Sequence, residues 1–462
     1  MNYRYQITGR FDLRSANATI AFLFKLFFLF CLLKPAPLAA SPPSGTDASD
    51  TWPYRKVAEE GITTPAGLWH IYYKDGLRIE SVHKYFRMKV NGLIIGDSGY
   101  IGADNELELS FPELEGWQAE FRKLQLTMLG WISDFVDLKL QIDFANVKSI
   151  KDNWIGFKVP LLGHIKAGNM KEPLSLSELT GGKFITFMER PLPTLAFTPG
   201  RNIGIMAQNA IMNSRMTWAA GGFWNTGSQS NVGETKDAIS QSNGYNFTVR
   251  ITGLPLKEDN GRKLLHLGLS YSHGFKRDAA SNPEVEYKPR PETYLTDDRL
   301  VDTGTFDADS VELINPELAI VAGPLSFQGE YFLNIADTPS AGSPRLWGFY
   351  LFGSYFLTGE SRTYQDHRGI FSKVDPIQNF DFNQSGWGAW ELGLRYSYVD
   401  LNDADIAGGK ERNLTAGLNW YLDSKTRFMF NYVRARVKDR SNPPPVEDGR
   451  ANILQARFQI EF

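Results

Sequence analysis

The sequence predicts an all-β protein, a transmembrane antiparallel β-barrel, on three observations. Segments of about ten residues alternate apolar and polar positions along most of the chain, which is the period of a strand with two unlike faces. After residue 40 no apolar run approaches the roughly 20 residues that a membrane helix needs, and the mean hydropathy is mildly polar, -0.30. The chain finishes inside one of the alternating runs on an aromatic, Phe462.

The elements follow in chain order. Residues 1–40 read as an export signal: Arg4, Arg10 and Arg14 lead, an apolar core runs from Ala18 to Leu33, and cleavage is expected after Ala40. Lys25 within the core and Leu38 near the cut are atypical, and a retained anchor helix is the alternative. Lipid attachment at Cys31 is not expected, because bulky Phe30 precedes it. Residues 41–64, rich in Ser, Pro and Thr, read as an exposed lead, and residues 65–462 as one barrel domain.

Strands are expected near 84–96, 117–130, 134–145, 152–159, 162–169, 202–209, 215–224, 244–252, 263–273, 310–321, 325–335, 346–357, 388–399, 411–422, 426–437 and 451–462. That makes sixteen, with eighteen as the alternative; an even number lets an antiparallel ring close without an open edge. The clearest run places Val136, Leu138, Leu140, Ile142 and Phe144 on one face and Asp137, Lys139, Gln141 and Asp143 on the other. Tyr245, Phe247, Val249 and Ile251 alternate in the same way, as do Trp390 to Tyr398, Leu414 to Trp420 and Leu454 to Phe462.

A soluble β-sandwich would also alternate, because one face of each sheet is buried. Against it, the apolar faces end in aromatics such as Trp390, Tyr398, Trp420 and Tyr421, suited to a membrane interface. The opposite faces carry charges that a dry core holds only when they are paired. A terminal Phe462 also suits recognition by barrel-assembly machinery.

Aromatics make up 13% of the 462 residues and Gly 42 positions, which fits strands joined by tight turns. Residues 1–40 hold five Lys/Arg, one Asp and the single cysteine; the rest therefore has 44 basic and 51 acidic side chains, a formal net charge of -7, and no disulfide. That balance gives no sign of a nucleic-acid partner. The six histidines show neither metal-ligand spacing nor a nucleophile motif, so the chain is not expected to be an enzyme or to carry a cofactor or metal. Acidic clusters at Asp297-Asp298, Asp307/Asp309 and Asp403/Asp405 read as solvated loops, with divalent-cation bridging to lipopolysaccharide as the alternative.

Between the fifth and sixth strands, residues 170–201 break the alternation: MKEPLSLSELTGGKFITFMERPLPTLAFTPGR. A loop of this length inside a compact domain is usually functional. With GHIKAGN before it, the stretch from Lys171-Glu172-Pro173-Leu174-Ser175 through Thr186–Pro193 to Ala196–Gly204 resembles the signature of the phosphate-selective porins of the O and P type. Gly67-Leu68-Trp69, Tyr73–Leu77, Phe121-Arg122-Lys123 and Asp143-Phe144-Ala145 extend the resemblance backward, and Ala219–Asn225 forward.

The resemblance implies a homotrimer of sixteen-stranded barrels in the outer membrane, each with its own pore narrowed by this loop folding inward. It also implies a constriction lined by Arg and Lys, through which small anions, phosphate or polyphosphate, diffuse passively. Fixed cations at a narrow point replace part of an oxyanion's hydration shell. Strand parity turns Arg87, Lys89 and Lys123 toward the lumen. Arg122 has lipid-facing parity, which only a bulge or a rim position would make comfortable. Lys171, Ser175, Lys183, Arg190 and Arg201 match the loop signature, the serine hydroxyl being able to donate to an anion. Against strict selectivity stand Asp137, Asp143, Glu391 and Glu461, also lumen-facing, and Glu172 beside Lys171. A weakly selective pore of the same fold is the first alternative. A structural or enzymatic barrel is the second; it would show a nucleophile-base pair or a lumen filled by large apolar residues, and the sequence presents neither.

Overall fold

The computed structural model describes residues 62–63, 68–145, 149–226, 244–276, 284–339, 342–383, 386–442 and 445–462. The expected signal and the lead up to residue 61 lie outside the described residues.

Sixteen strands form the ring: β1 Phe86–Ala103, β2 Gly116–Ile132, β3 Val136–Asp143, β4 Ser149–Val159, β5 Gly163–Met170, β6 Asn202–Ile211, β7 Met216–Trp224 and β8 Gly244–Glu258, then β9 Lys263–Lys276, β10 Ser310–Ala322, β11 Leu325–Asp337, β12 Arg345–Phe356, β13 Ala389–Asp403, β14 Ile406–Tyr421, β15 Thr426–Arg440 and β16 Gly449–Glu461. Each pairs antiparallel with its predecessor, and β16 pairs with β1 from Ala451↔Ala103 to Glu461↔Leu93, which closes the sheet. Closure gives every strand two hydrogen-bonded neighbours, the condition for placing a sheet in hydrocarbon.

Three short N-terminal strands extend the same sheet outside the ring. One of them, Leu77–Ser81, pairs with Arg87–Val90 of β1, just below the level at which β16 ends. Phe462 lies at this junction: its backbone exchanges hydrogen bonds with Gly92 at 2.7 and 3.1 Å. Its ring occupies the space that a side chain on Gly92 would fill.

The expected parity holds, inside out relative to a soluble protein. Leu454, Leu394 and Ile251 are 58%, 57% and 55% exposed, whereas Arg457, Arg395 and Arg250 on the alternate positions are 2%, 3% and 4% exposed. Two aromatic bands bound the outer apolar surface. Trp390, Trp420, Phe428 and Phe458 stack in series at one end, and Tyr331, Trp347 and Tyr398 at the other. The first band lies near the short turns 133–135, 160–162, 212–215 and 422–425; the second lies near the longer loops, and in barrels of this kind the longer loops are extracellular.

The lumen is partly filled. Segments 171–201, 284–307 and 358–388 carry buried residues inward. Phe187, Leu192 and Phe197 of the first, with Leu295 and Leu300 of the second, share one apolar cluster with Phe332, Leu346, Phe352 and Val433 of the wall. Large apolar residues inside the barrel run against the sequence reading. Most of the filler is on loops, where strand parity carries no information.

Candidate functional site in the lumen

The 171–201 loop is seated by its own backbone. Its irregular stretches leave N–H and C=O groups unpaired, and such groups, once buried, need partners. The wall supplies them. Glu330 of β11 accepts Leu176 N (3.1 Å) and Ser177 N (2.7 Å) at the start of helix α1, Leu176–Leu179. Glu292 from segment 284–307 accepts Leu192 N (3.1 Å) at the start of helix α2, Leu192–Phe197, and is itself held by Arg395 (2.6 Å) and Thr415 (2.7 Å). Between the helices, Arg427 donates to Ile185 O (3.0 Å), Asn419 to Thr186 O (2.8 Å), Arg457 to Met188 O and Arg395 to Glu189 O (2.8 Å). Three wall arginines that parity turns into the lumen therefore serve the loop backbone.

The expected anion contacts separate into groups. Arg122 does turn inward: the register between β1 and β2 shifts at Ile95/Gly96, opposite Arg122, a bulge that reverses its parity. It donates twice to Glu189, at 2.9 and 3.2 Å, and stacks on Tyr294 of segment 284–307 with 3.4 Å to the ring centroid. Lys171 (2.8 Å) and Arg190 (2.9 Å) both pair with Glu178, and Arg190 also donates to the carbonyls of Ser177, Glu178 and Thr180. Arg201 (2.6 Å) shares Asp152 with Lys139 (2.5 Å). Lys183 pairs with Glu461.

Other residues depart from expectation. Arg87 bonds Asp134 in the 133–135 turn (2.9 Å), and Lys89 lies against Gly76 of the N-terminal hairpin. They do not converge with the loop, because the part of β1 that carries them lies beyond the level where β16 pairs. Ser175 is fully buried with φ at 69°, and its Oγ accepts Glu178 N at 3.1 Å. The hydroxyl expected to meet an anion caps a helix instead. Asp137, Asp143, Glu391 and Glu461 all face inward as expected and are engaged, with His164, Gln125, Tyr421 and Lys183 respectively.

Lys123 differs from these. Among the described residues it has no carboxylate ion pair, and its Nζ lies beside Gly182 of the loop, 2.6 Å from where a Cβ would stand. Arg190 Nη1 lies 3.7 Å from the same point. Absence of a side chain at Gly182 thus lets two cations approach each other at the loop surface.

Sequence reasoning missed Arg362. From segment 358–388 it lies over Phe371 (3.6 Å) and Phe352 (5.2 Å), donates to Gln328 Oε1 (3.0 Å), and has no carboxylate ion pair among the described residues. Burial pushes its guanidinium down to about 10. It borders a cleft with Thr180, Arg190, Gln328, Phe352 and Arg395. The length of its connection, joining β12 to β13 on the short-turn side, was the available signal.

The charge states follow from this arrangement. Burial raises the Glu178 carboxyl, but Arg190 and Lys171 more than offset that and hold it below its ordinary value. Burial pushes the Lys171 ammonium down to about 7; Glu178 opposes the shift, and Arg190 and Arg201 add to it. Among the described residues, no group of three or more His, Cys, Asp or Glu could hold a metal ion.

The profile of the family described as "Phosphate-selective porin O and P" matches residues 103–462. An uncharacterised protein of Caulobacter vibrioides is 29% identical over 442 residues, 93% of this chain and 82% of its own. Porin O of Pseudomonas aeruginosa is 24% identical over 437 residues, 86% of this chain and 94% of its own. Among solved structures, an anion-selective porin from Comamonas acidovorans aligns with a TM-score of 0.49 at 12% identity, over 82% of this chain and 100% of that one.

Proposed function

Because the chain belongs to the phosphate-selective porin O and P family and is therefore an outer-membrane channel, we propose that it passes small oxyanions, with phosphate the preferred one. The observation that carries this reading is Lys123, whose ammonium stands at the loop surface opposite Arg190 without a carboxylate partner among the described residues. A hydrated anion at that point exchanges part of its water shell for a fixed cation in a narrow passage. Arg362 offers a second contact with planar, forked donors. Movement is by diffusion down the solute's gradient, and the protein's part is to hold charge at the narrowest place.

Modest selectivity is the second reading, favoured by the sharing of Glu178 between Lys171 and Arg190 and of Asp152 between Arg201 and Lys139. Cations already neutralised in this way contribute little net field. We also propose that the chain works as a homotrimer, inserted by barrel-assembly machinery after loss of residues 1–40.

Reversal potentials across a planar bilayer test the reading. Wild type should prefer anions, with chloride current reduced by millimolar phosphate, and Lys123→Glu should abolish both effects. Cation preference in the wild type, with no effect of phosphate, rejects it.

A further inference from the structure

One charged patch lies on the outside of the barrel, where conduction has no use for it. Cross-strand pairing sets the outward side chains of β14, β15 and β16 in rows. Trp420–Phe428–Phe458, Leu418–Phe430–Ala456 and Ala416–Tyr432–Leu454 form a continuous apolar surface. The next row is Leu414–Arg434–Asn452, and the one above it is Arg412–Arg436–Arg450, three arginines directly opposite one another.

Like charges in directly opposed positions repel and destabilise a sheet. Among the described residues nothing relieves them: none of the four guanidiniums makes an ion pair or a side-chain hydrogen bond there. Arg436 stands directly between Arg412 and Arg450, with Arg434 two positions along its own strand. Carboxylates are close by but serve the lysines of the following row, Lys410 with Asp400 and Asp439, and Lys438 with Asp448. The patch stands on the long-loop side, beside Tyr398 of the aromatic border, which pairs with Arg412, and above the apolar row that holds Tyr432.

We propose that Arg412, Arg434, Arg436 and Arg450 bind the phosphorylated headgroup of a glycolipid in the outer leaflet, whose acyl chains lie along Leu414, Tyr432 and Leu454. Arginine suits such a headgroup, because its planar fork meets two phosphate oxygens at once, and its stem lies along apolar surface while the charge reaches the headgroup layer. The adjoining apolar rows select a lipid over free phosphate, since only a molecule with acyl chains uses both surfaces.

The test measures retention of lipid by the intact purified protein in detergent, by native mass spectrometry. The probes are a glycolipid bearing two sugar phosphates and the same lipid with its phosphates removed. Wild type should retain the first and not the second, and millimolar inorganic phosphate should not displace it. Substituting Arg412→Gln, Arg436→Gln and Arg450→Gln together should weaken retention about a hundredfold, the loss of three cations at an anionic surface. Heat-shifted gel migration reports that the substituted barrel is folded; if it is not, Arg436→Gln alone should give about a fivefold loss. Equal retention by wild type and the folded variant overturns the proposal, as does equal retention of the dephosphorylated lipid or displacement by inorganic phosphate. Because the readout is bound lipid and not current, these outcomes are independent of the channel reading.

Discussion

Arg122 and Glu189 form a two-point ion pair, at 2.9 and 3.2 Å, between a strand residue with the parity of a lipid-facing position and the middle of the inward loop. The bulge in β2 makes the pair geometrically available. Burial raises the Glu189 carboxyl, yet Arg122 and Arg457 together hold it far below the usual carboxylate range. Glu189→Gln would leave two buried guanidiniums without their shared counter-charge, at a cost of about 3–5 kcal/mol. The temperature at which unboiled protein converts to the mobility of boiled protein should fall, and single-channel current should become noisier. An unchanged conversion temperature would mean that the loop does not depend on this pair.

Lys171 should make selectivity depend on pH. Its ammonium titrates near 7, so it is charged below that value and neutral above it. Anion preference in reversal-potential measurements should therefore fall as pH rises through about 7. Lys171→Arg stays charged and should give a flat profile. The stability effect has the opposite slope: the unfolded side chain titrates near 10.4, so between about 7 and that value the unfolded state binds more protons and stability rises with pH. Below that window the penalty is constant.

Gly182→Ala should reduce phosphate block while leaving the barrel intact. The added Cβ would stand 2.6 Å from Lys123 Nζ, the movable end of a long side chain, which must shift away from the passage. The stability change should stay within about 0.5 kcal/mol. Phosphate block equal to that of wild type would separate Lys123 from the permeation path.

Deleting Phe462 should lower the yield of assembled barrel much more than it changes conductance, because the residue bonds Gly92 through its backbone and covers it with its ring. Gly92→Leu should have the same effect from the other side of the contact, since its side chain needs the volume the ring occupies. The check is the ratio of assembled to unassembled protein in isolated membranes. A Gly92→Leu variant that assembles normally contradicts this account of the junction.

Strand positions were legible in the sequence because lipid on one side and a polar lumen on the other write their difference into every second residue. Where that contrast fades, so does the signal. β1 runs on to Ala103, seven residues past its expected end at 96, through Gly96-Asp97-Ser98-Gly99, which does not alternate. β14 starts at Ile406 and not at 411, across Gly408-Gly409. The hairpin at 69–81 was missed as well, although Asp75-Gly76 marks its turn.

For the site, parity gave the direction of each cation but not its partner. Glu178 lies only seven residues after Lys171 and twelve before Arg190, yet nothing local indicates that the loop folds so as to bring all three together. Glu292 reaches Arg395 and Leu192 across about a hundred residues in either direction. Long connections that fold inward are fixed by such distant partners, and a single sequence does not display them.

Arg457 ties two events of assembly into one. On β16 it reaches across the closing seam to Asp97 of β1, 360 residues away in sequence, and the same guanidinium meets Glu189 of the inward loop. Contacts between such remote parts of a chain form late. Until they form, β1 and β16 present open edges able to pair with other chains. The last step of closure is then also the step that seats the loop, so an empty closed ring should not accumulate as an intermediate: the chain passes from an open sheet to a closed barrel with its inward loop already in place.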